Sequence, residues 1–359
     1  MKKALWGATA LTLAASSSFA GGIDRSGQGV NILFEEGNFV QFTWSHASPS
    51  VDGTSALAGN SNDVAKSYNN VSFGYKHEIN ENWDLALIYD QPFGAHILYD
   101  NGPFSAAGGR PFDGTAEINS DALTALVQYN FGNGFSLHGG ARALKVSGTI
   151  QSGNGILNAS SDYDFGGVVG VAYEKPEIAL RVALTYATAI KSGLSGTNAA
   201  FPVGAQDRTF DVDFPESVNL DFQTGVAKNT LVFGSVRWAG WGGFSLDTTP
   251  EGSWVDFDDD TINYTIGVGQ RINDKLSLAL QFGYEKSGNR PTTTLLAPTT
   301  GSKSIGLGAT YQVNEQLSVS GGLTYALPGD QYYVVAPGVN VDFEDSSAWG
   351  AGIRIGYRF

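Results

Sequence analysis

At 359 residues with no cysteine, the chain has no disulfide framework and must draw its stability from a large core or a closed sheet. A formal net charge of −14 leaves no basic face to neutralise phosphates, which excludes nucleic acid as a partner. Glycine is abundant at 47 residues, and the aromatics are 21 Phe, 15 Tyr and 7 Trp, a composition suited to sheet rather than helix.

The chain starts with Lys2 and Lys3, then runs apolar from Ala4 to Ala15 and ends that stretch on Ser18-Phe19-Ala20, small at both positions a signal peptidase reads. Residues 1–20 read as a cleaved signal peptide, with the mature chain starting at Gly21. The run is too short to be a membrane anchor, which needs about 20 apolar residues. Nothing after residue 20 approaches the length of a transmembrane helix. If the mature chain crosses a membrane, it does so as a barrel, since only helices and closed barrels satisfy every backbone group in lipid.

From Phe39 onward the pattern is period two. Leu276, Leu278, Leu280, Phe282 and Tyr284 alternate with Ser277, Ala279, Gln281, Gly283 and Glu285. Similar alternation marks Leu123 to Phe131, Ile178 to Tyr186, Ile305 to Val313 and Leu317 to Tyr325. Such strands have two environments; a soluble sandwich buries the apolar face, and a membrane barrel turns it to lipid. The connections decide. Tight turns at Asn80-Glu81-Asn82, Gly132-Asn133-Gly134, Lys175-Pro176, Ala227-Lys228-Asn229, Asn273-Asp274-Lys275 and Asn314-Glu315 alternate with long polar loops near 48–68, 100–115, 148–160, 192–213, 246–260, 288–301 and 328–345. That is the outer-membrane arrangement, and it implies about 14 antiparallel strands. Aromatics beside the tight turns (Trp83, Tyr129, Phe131, Phe135, Tyr173, Tyr311) suit an interfacial girdle. The last strand carries Trp349, Ile353, Ile355, Tyr357 and Phe359 on one face and ends on an aromatic, as a signal for barrel-insertion machinery does.

The third strand, WDLALIYDQPFGAHILYD, is interrupted by Pro92, Phe93 and Gly94. Pro92 cannot donate to the ladder and Gly94 brings no side chain, so the element is either a gap in the wall or a bend at the membrane's outer edge. Small inward residues, among them Gly267, Gly269, Gly306 and Gly308, leave room in the lumen.

Three stretches together resemble the FadL/TodX family of outer-membrane transporters for long-chain fatty acids and other hydrophobic compounds. They are the mature start GGIDRSGQGVNILFEEGNFVQFTWSHASPSVDG, the Pro-Phe-Gly element in YDQPFGAHILYD, and FPESVNLDFQTGVAKNTLVFGSVRWAGWGGF, a Pro-Glu-Ser strand followed by a Trp-rich one. The resemblance covers the mature chain and implies an all-β transmembrane barrel, residues 38–359, with a short N-terminal hatch, residues 21–37, in its lumen. It further implies capture of a hydrophobic molecule at the outer loops after strands five and seven, and lateral release into outer-membrane lipid at the kinked third strand. The hatch is short and these two loops are modest beside the family pattern, which argues against a two-site capture route.

Candidate substrate-binding residues are Ile156 and Leu157 after strand five and Leu194, Phe201 and Val203 after strand seven, apolar in otherwise polar loops. Arg142, Arg181, Arg271 and Arg354 fall on the inward face by parity, where they pair with a fatty-acid carboxylate or with acids such as Asp164, Glu174, Asp221 and Glu285. Pro92, Phe93 and Gly94 are the lateral-opening candidates, and Asp24, Arg25, Ile32 and Phe34 the hatch candidates. Asp256, Asp258, Asp259 and Asp260 lack ordered Ca²⁺-loop spacing, and His46, His77, His96 and His138 lack metal-ligand spacing. No metal, cofactor or catalytic centre is expected. The expectation is a monomeric outer-membrane transporter of hydrophobic compounds, long-chain fatty acids first among them; the alternatives are a general diffusion porin and a barrel lipase.

Overall fold

The computed structural model describes residues 23–100, 114–200 and 203–359. The leader, Gly21, Gly22 and Phe201 lie outside the described residues. The fold is a closed antiparallel barrel of 14 wall strands. In chain order they are Phe39–Ser50; Tyr68–Glu78; Trp83–Asp90 continued by Gly94–Leu98; Thr115–Asn130; Phe135–Ser152; Gly155–Ser161 continued by Asp164–Lys175; Leu180–Ala187 continued by Ile190–Ala200; Gly204–Phe214 continued by Ser217–Ala227; Thr230–Ala239; Thr261–Arg271; Leu276–Glu285; Ser302–Gln312; Leu317–Pro328; and Ser347–Arg358. The first strand closes the ring on the last, from Phe39↔Arg358 to Ser50↔Ser347.

The environment of each face is settled by exposure. Large apolar side chains on the strands face out, Phe42, Leu123, Val171, Leu184, Ile266, Phe282, Leu307 and Ile353 among them, while Lys76, Thr124, Gln128, His138, Arg142 and Gln223 are buried inside. This inverts a soluble protein and fits a wall in lipid. Tight turns fall at the expected places. At Lys175-Pro176 the chain forms a short 3-10 turn, Pro176–Ile178, and leaves it through Ala179 at φ 50°, so the seventh strand begins at Leu180 rather than Ile178. Aromatic pairs line this rim, such as Trp83 with Tyr129 (4.8 Å) and Phe135 with Tyr173 (4.7 Å).

Several of the expected loops contain strands: Asp52–Ser55, Gly59–Asp63, Gln331–Ala336 and Val339–Phe343 form a separate four-stranded sheet, and two others extend the wall. Residues 148–160 and 192–213 continue the wall outward as paired hairpins, Ser147↔Ser160 to Ser152↔Gly155 and Ile190↔Phe214 to Ala200↔Gly204. The Phe244–Thr248 and Gly252–Phe257 strands form a further hairpin. Together they build an apolar core at the outer end of the barrel. The room expected at inward glycines is partly taken: the Phe233 ring covers Gly267, Phe39 covers Gly356 and Ile32 covers Gly74.

Candidate functional site

Beneath the outer hairpins lies an apolar chamber. It is lined by Ala116, Ile118, Val146, Leu157, Leu194, Phe210, Val212, Phe214, Phe244, Leu246, Val255 and Phe257, with Ile23 and Ala95; Ser147 is the one lining residue with a polar side chain, and it is exposed, on the opposite parity of its strand to the inward Val146. Its volume is about 60 Å³, below the roughly 150 Å³ that holds a benzene molecule. An occupant of that size must therefore move the walls.

The third strand breaks directly beside this chamber. It pairs with the fourth up to Asp90↔Ala122 and again from Gly94↔Asn119. Three residues, Gln91 to Phe93, thus oppose two, a bulge that bends the strand. The Ser120 hydroxyl patches the ladder, accepting from the Phe93 N–H (2.8 Å) and donating to the Phe93 carbonyl (2.7 Å). On the other edge, pairing with the second strand stops at Phe73↔Tyr89 and contact resumes only at Ala65↔Ile97. Pro92 lies inside the wall, not in an outer loop. Between these limits Tyr68 to Ser72 have no ladder partner on the third strand; the Val71 N–H donates to the Gln91 side-chain oxygen (3.0 Å).

The missing rung is supplied from within. Asp24 bridges Phe93, the Arg25 N–H donates to the Pro92 carbonyl (2.6 Å), and the Gly94 N–H donates to the Ile23 carbonyl (2.8 Å). A complete antiparallel pair would return a bond from residue 92 to the Arg25 carbonyl; Pro92 has no N–H to give, so the rung is one bond short. The Arg25 guanidinium lies over the Tyr68 ring (4.1 Å) and fills the space where a Cβ on Gly94 would stand.

Further along, this segment crosses the lumen. Asp24 forms an ion pair with Arg237 (3.1 Å) and accepts from the Trp241 indole N–H (3.1 Å). Ser26 donates to Asp90, Arg142 donates to Gln28 (2.6 Å), and Asn219 donates to the Gly27 carbonyl (3.1 Å). Val30, Ile32 and Leu33 pack with Ala86, Ile88, Leu126, Val168 and Ala187 from four wall strands. The Phe34 ring stacks under Arg181 (4.8 Å), and Arg358 pairs with Glu35 (3.6 Å). The space left beside the segment is far more polar than the chamber, edged by Gln41, Thr43, Gln91, Asn219, Thr265 and Gln281 among apolar residues such as Ile88 and Tyr264.

Among the expected site residues, Leu157 and Leu194 line the chamber and are only 2% and 5% exposed, so they are not the exposed loop residues that composition suggests. Ile156 points outward, and Val203, 69% exposed, stands in the hairpin turn. Neither lines the chamber. Arg142 and Arg181 lie away from it and bond Gln28, Thr124 and Gln223 rather than lumen acids; Arg271 pairs with Asp274 in a tight turn. Arg354 edges the polar lumen. The acidic run is spent on loop bonds: Asp256 accepts from Ser245 and Ser253, Asp259 from the Asn289 N–H, and Asp260 from Trp238 and Gly242. Among the described residues no three acidic or His side chains form a metal-holding group. Residues that sequence reasoning missed are Ser120, Arg237 and Trp241; the parity used for the other arginines applies to Arg237, which lies on the same face of its strand as inward Leu231 and Phe233.

The chain from residue 37 to 359 matches the family model described as outer membrane protein transport protein (OMPP1/FadL/TodX). No curated protein matches it in sequence. Its fold is similar to the crystal structure of a Pseudomonas aeruginosa FadL homologue, with a TM-score of 0.75, 14% identity and 92% of each chain covered. It is also similar to the P. putida toluene transporter TodX (TM-score 0.65, 11% identity, 92% of each chain) and the Ralstonia pickettii toluene transporter TbuX (0.61, 13%, 95% of each chain). At such identities the likeness speaks for the barrel alone, and the family assignment rests on the match along the chain: this protein belongs to the OMPP1/FadL/TodX family of outer-membrane transport proteins for hydrophobic compounds.

Proposed function

We propose that the barrel takes up hydrophobic compounds passively, capturing them in the chamber under the outer hairpins and releasing them sideways into the outer membrane at the break in strand three. The observation that carries this reading is adjacency: Phe93 of the break stacks on Phe214 of the chamber wall at 5.0 Å, while the lumen below is much more polar than the chamber. An apolar chain gains about 0.8 kcal/mol per CH₂ kept from water, so the sideways step is downhill and the polar lumen is not. Residues 21–37 act as the hatch. Of long-chain fatty acids and uncharged hydrocarbons, the lining favours the latter, because aliphatic and aromatic walls cannot compensate a desolvated carboxylate. A fatty acid would bind with its head at the chamber's edge. A segment packed across the lumen disfavours the porin reading.

Uptake of labelled ethylbenzene and oleate by cells lacking their own transporters, with and without this chain, tests the proposal. The chain should raise uptake, and Leu246→Arg, which puts an unpaired charge in the chamber, should lower it at least tenfold while the barrel still inserts. Steady ion conductance in planar bilayers with no gain in uptake would favour a porin instead.

A further inference from the structure

Trp241 sits in the turn Gly240 to Gly243, which joins the ninth wall strand to the Phe244–Thr248 strand. Glycine flanks it, and Gly243 takes φ +96°. The ring is fully buried. It meets Phe244 (5.2 Å) and Phe257 (5.6 Å), both in the chamber wall, and Phe93 (5.7 Å), in the broken strand. Its indole N–H donates to one oxygen of Asp24, and the other oxygen is held by Arg237. One side chain thus touches the chamber wall, the break and the N-terminal rung.

We infer that Trp241 couples occupancy of the chamber to release of the rung. The inference rests on the uptake reading above. An occupant displaces Phe244 and Phe257, tilts the indole away from Asp24, and so loosens Ile23 to Arg25 from strand three. The chamber is too small to fill without moving a wall. Most of its lining stands on laddered strands of the barrel, whereas Trp241 stands in a glycine turn and its two phenylalanine neighbours at the root of a short hairpin. Hydrogen bonds weaken steeply once the donor angle falls below about 120°, so a modest tilt suffices. The Arg237 ion pair keeps the Asp24 charge compensated throughout. Residues 30–34 stay anchored in their apolar cluster. The motion turns on residues 26–29, where Gly27 and Gln28 have φ of 64° and 56°, and draws on the bonds that Ser26, Gly27 and Gln28 make to the wall.

Linkage gives the inference a sign. If occupancy breaks the bond between Trp241 and Asp24, that bond opposes binding, and removing it must tighten binding. Loss of an ordinary packing residue would weaken it. Trp241→Phe keeps an aromatic ring and deletes the N–H. The chain has no cysteine, so Gly29→Cys gives a unique spin-label site; Gly29 is exposed, and a Cβ there meets only the Asn31 amide, at 3.8 Å. The labelled barrel in lipid nanodiscs is titrated with ethylbenzene.

The parent label should be immobile without ethylbenzene and mobile with it. In the Trp241→Phe background it should already be partly mobile, with a midpoint three- to tenfold lower. An immobile label with an equal or higher midpoint overturns the inference. Should that variant fail to give a heat-modifiable barrel, Asp24→Ala removes the acceptor instead and should also free the label and abolish its response; an immobile, still responsive label overturns the inference. Equilibrium dialysis separates the two readings. If the parent retains no ethylbenzene, the uptake reading falls with the coupling; if it retains ethylbenzene while its label stays still, only the coupling falls.

Discussion

The outer and inner halves of the lumen are built on opposite chemistries. The chamber under the hairpins presents aliphatic and aromatic side chains. The lumen around residues 23–37 presents Asp24, Asp90, Arg142, Arg237 and Gln28, nearly all bonded to one another. A hydrophobic molecule that has entered the first has no reason to enter the second. On the route proposed here, the wall between strands two and three, held by a rung one bond short, is the cheaper exit. The contrast shows how polarity on either side of a site would choose the path of a passive passenger, without an energy source.

The harshest way to break this contrast is to empty the polar half. Deleting residues 21–37 removes the rung, the bonds to Arg142 and Arg237 and the apolar anchor of Val30, Ile32 and Leu33. Single-channel conductance in planar bilayers should rise from near zero to that of an open pore; unchanged conductance would mean the lumen is closed elsewhere.

A finer cut sharpens it. Pro92→Val restores the missing donor to the Arg25 carbonyl, adding one backbone hydrogen bond worth about 0.5–1.5 kcal/mol. The rung should hold more firmly, and uptake of ethylbenzene should slow by roughly two- to tenfold, with insertion intact. Parent-rate uptake would mean that release does not pass this rung. Gly94→Thr is a different experiment, since its Cβ would meet the Arg25 guanidinium and push it out of the gap.

The smallest effect concerns the chamber's roof. Arg208, on the outer hairpin, holds Glu251 of the neighbouring hairpin at 2.5 Å and draws its carboxyl down from 4.5 to about 2. A depressed carboxylate contributes stability that is fully present above its unfolded value and is lost as pH falls through the folded one. The protection of amides in residues 204–214, taken relative to the intrinsic exchange rate at each pH, should therefore be steady above about pH 4.5 and fall as pH drops toward 2, and Glu251→Gln should show at pH 7 the reduced protection that the parent shows at low pH. A parent profile flat to pH 2 would remove the pair from the roof's account.

Much of the barrel was legible because its signals are local. Alternation, tight turns at Asn and Gly, and the count of connections all lie within a few residues of one another. Pro92 was legible too, but whether it interrupted the wall depended on where contact with the third strand resumes, at an isolated bridge Ala65↔Ile97 ahead of the second strand. The hairpins at 148–160 and 192–213 read as loops because their outer faces are rich in Gly, Ser, Thr and Asn; above the membrane the outward face meets water and needs no apolar residue. Their inward alternation, Leu157 or Leu194 with Phe210 and Val212, was the overlooked signal. Arg237 and Trp241 were not legible at all as partners of Asp24. Those contacts join residues 213 and 217 positions apart, and only the closed ring brings them together.

The tether behind the rung has a consequence in time. Residues 26–29 are all that separate Arg25 from the anchored stretch beginning at Val30. A displaced rung therefore stays at an effective concentration of millimolar or more beside its own site. Closing even a ten-residue loop takes only about 10–100 ns. A rung that comes loose by chance returns before much else can pass, and stays away only while something props it. On the proposed route the interval of opening would be set by the passenger, and the outer membrane would keep its resistance to polar solutes without a separate step that shuts the door.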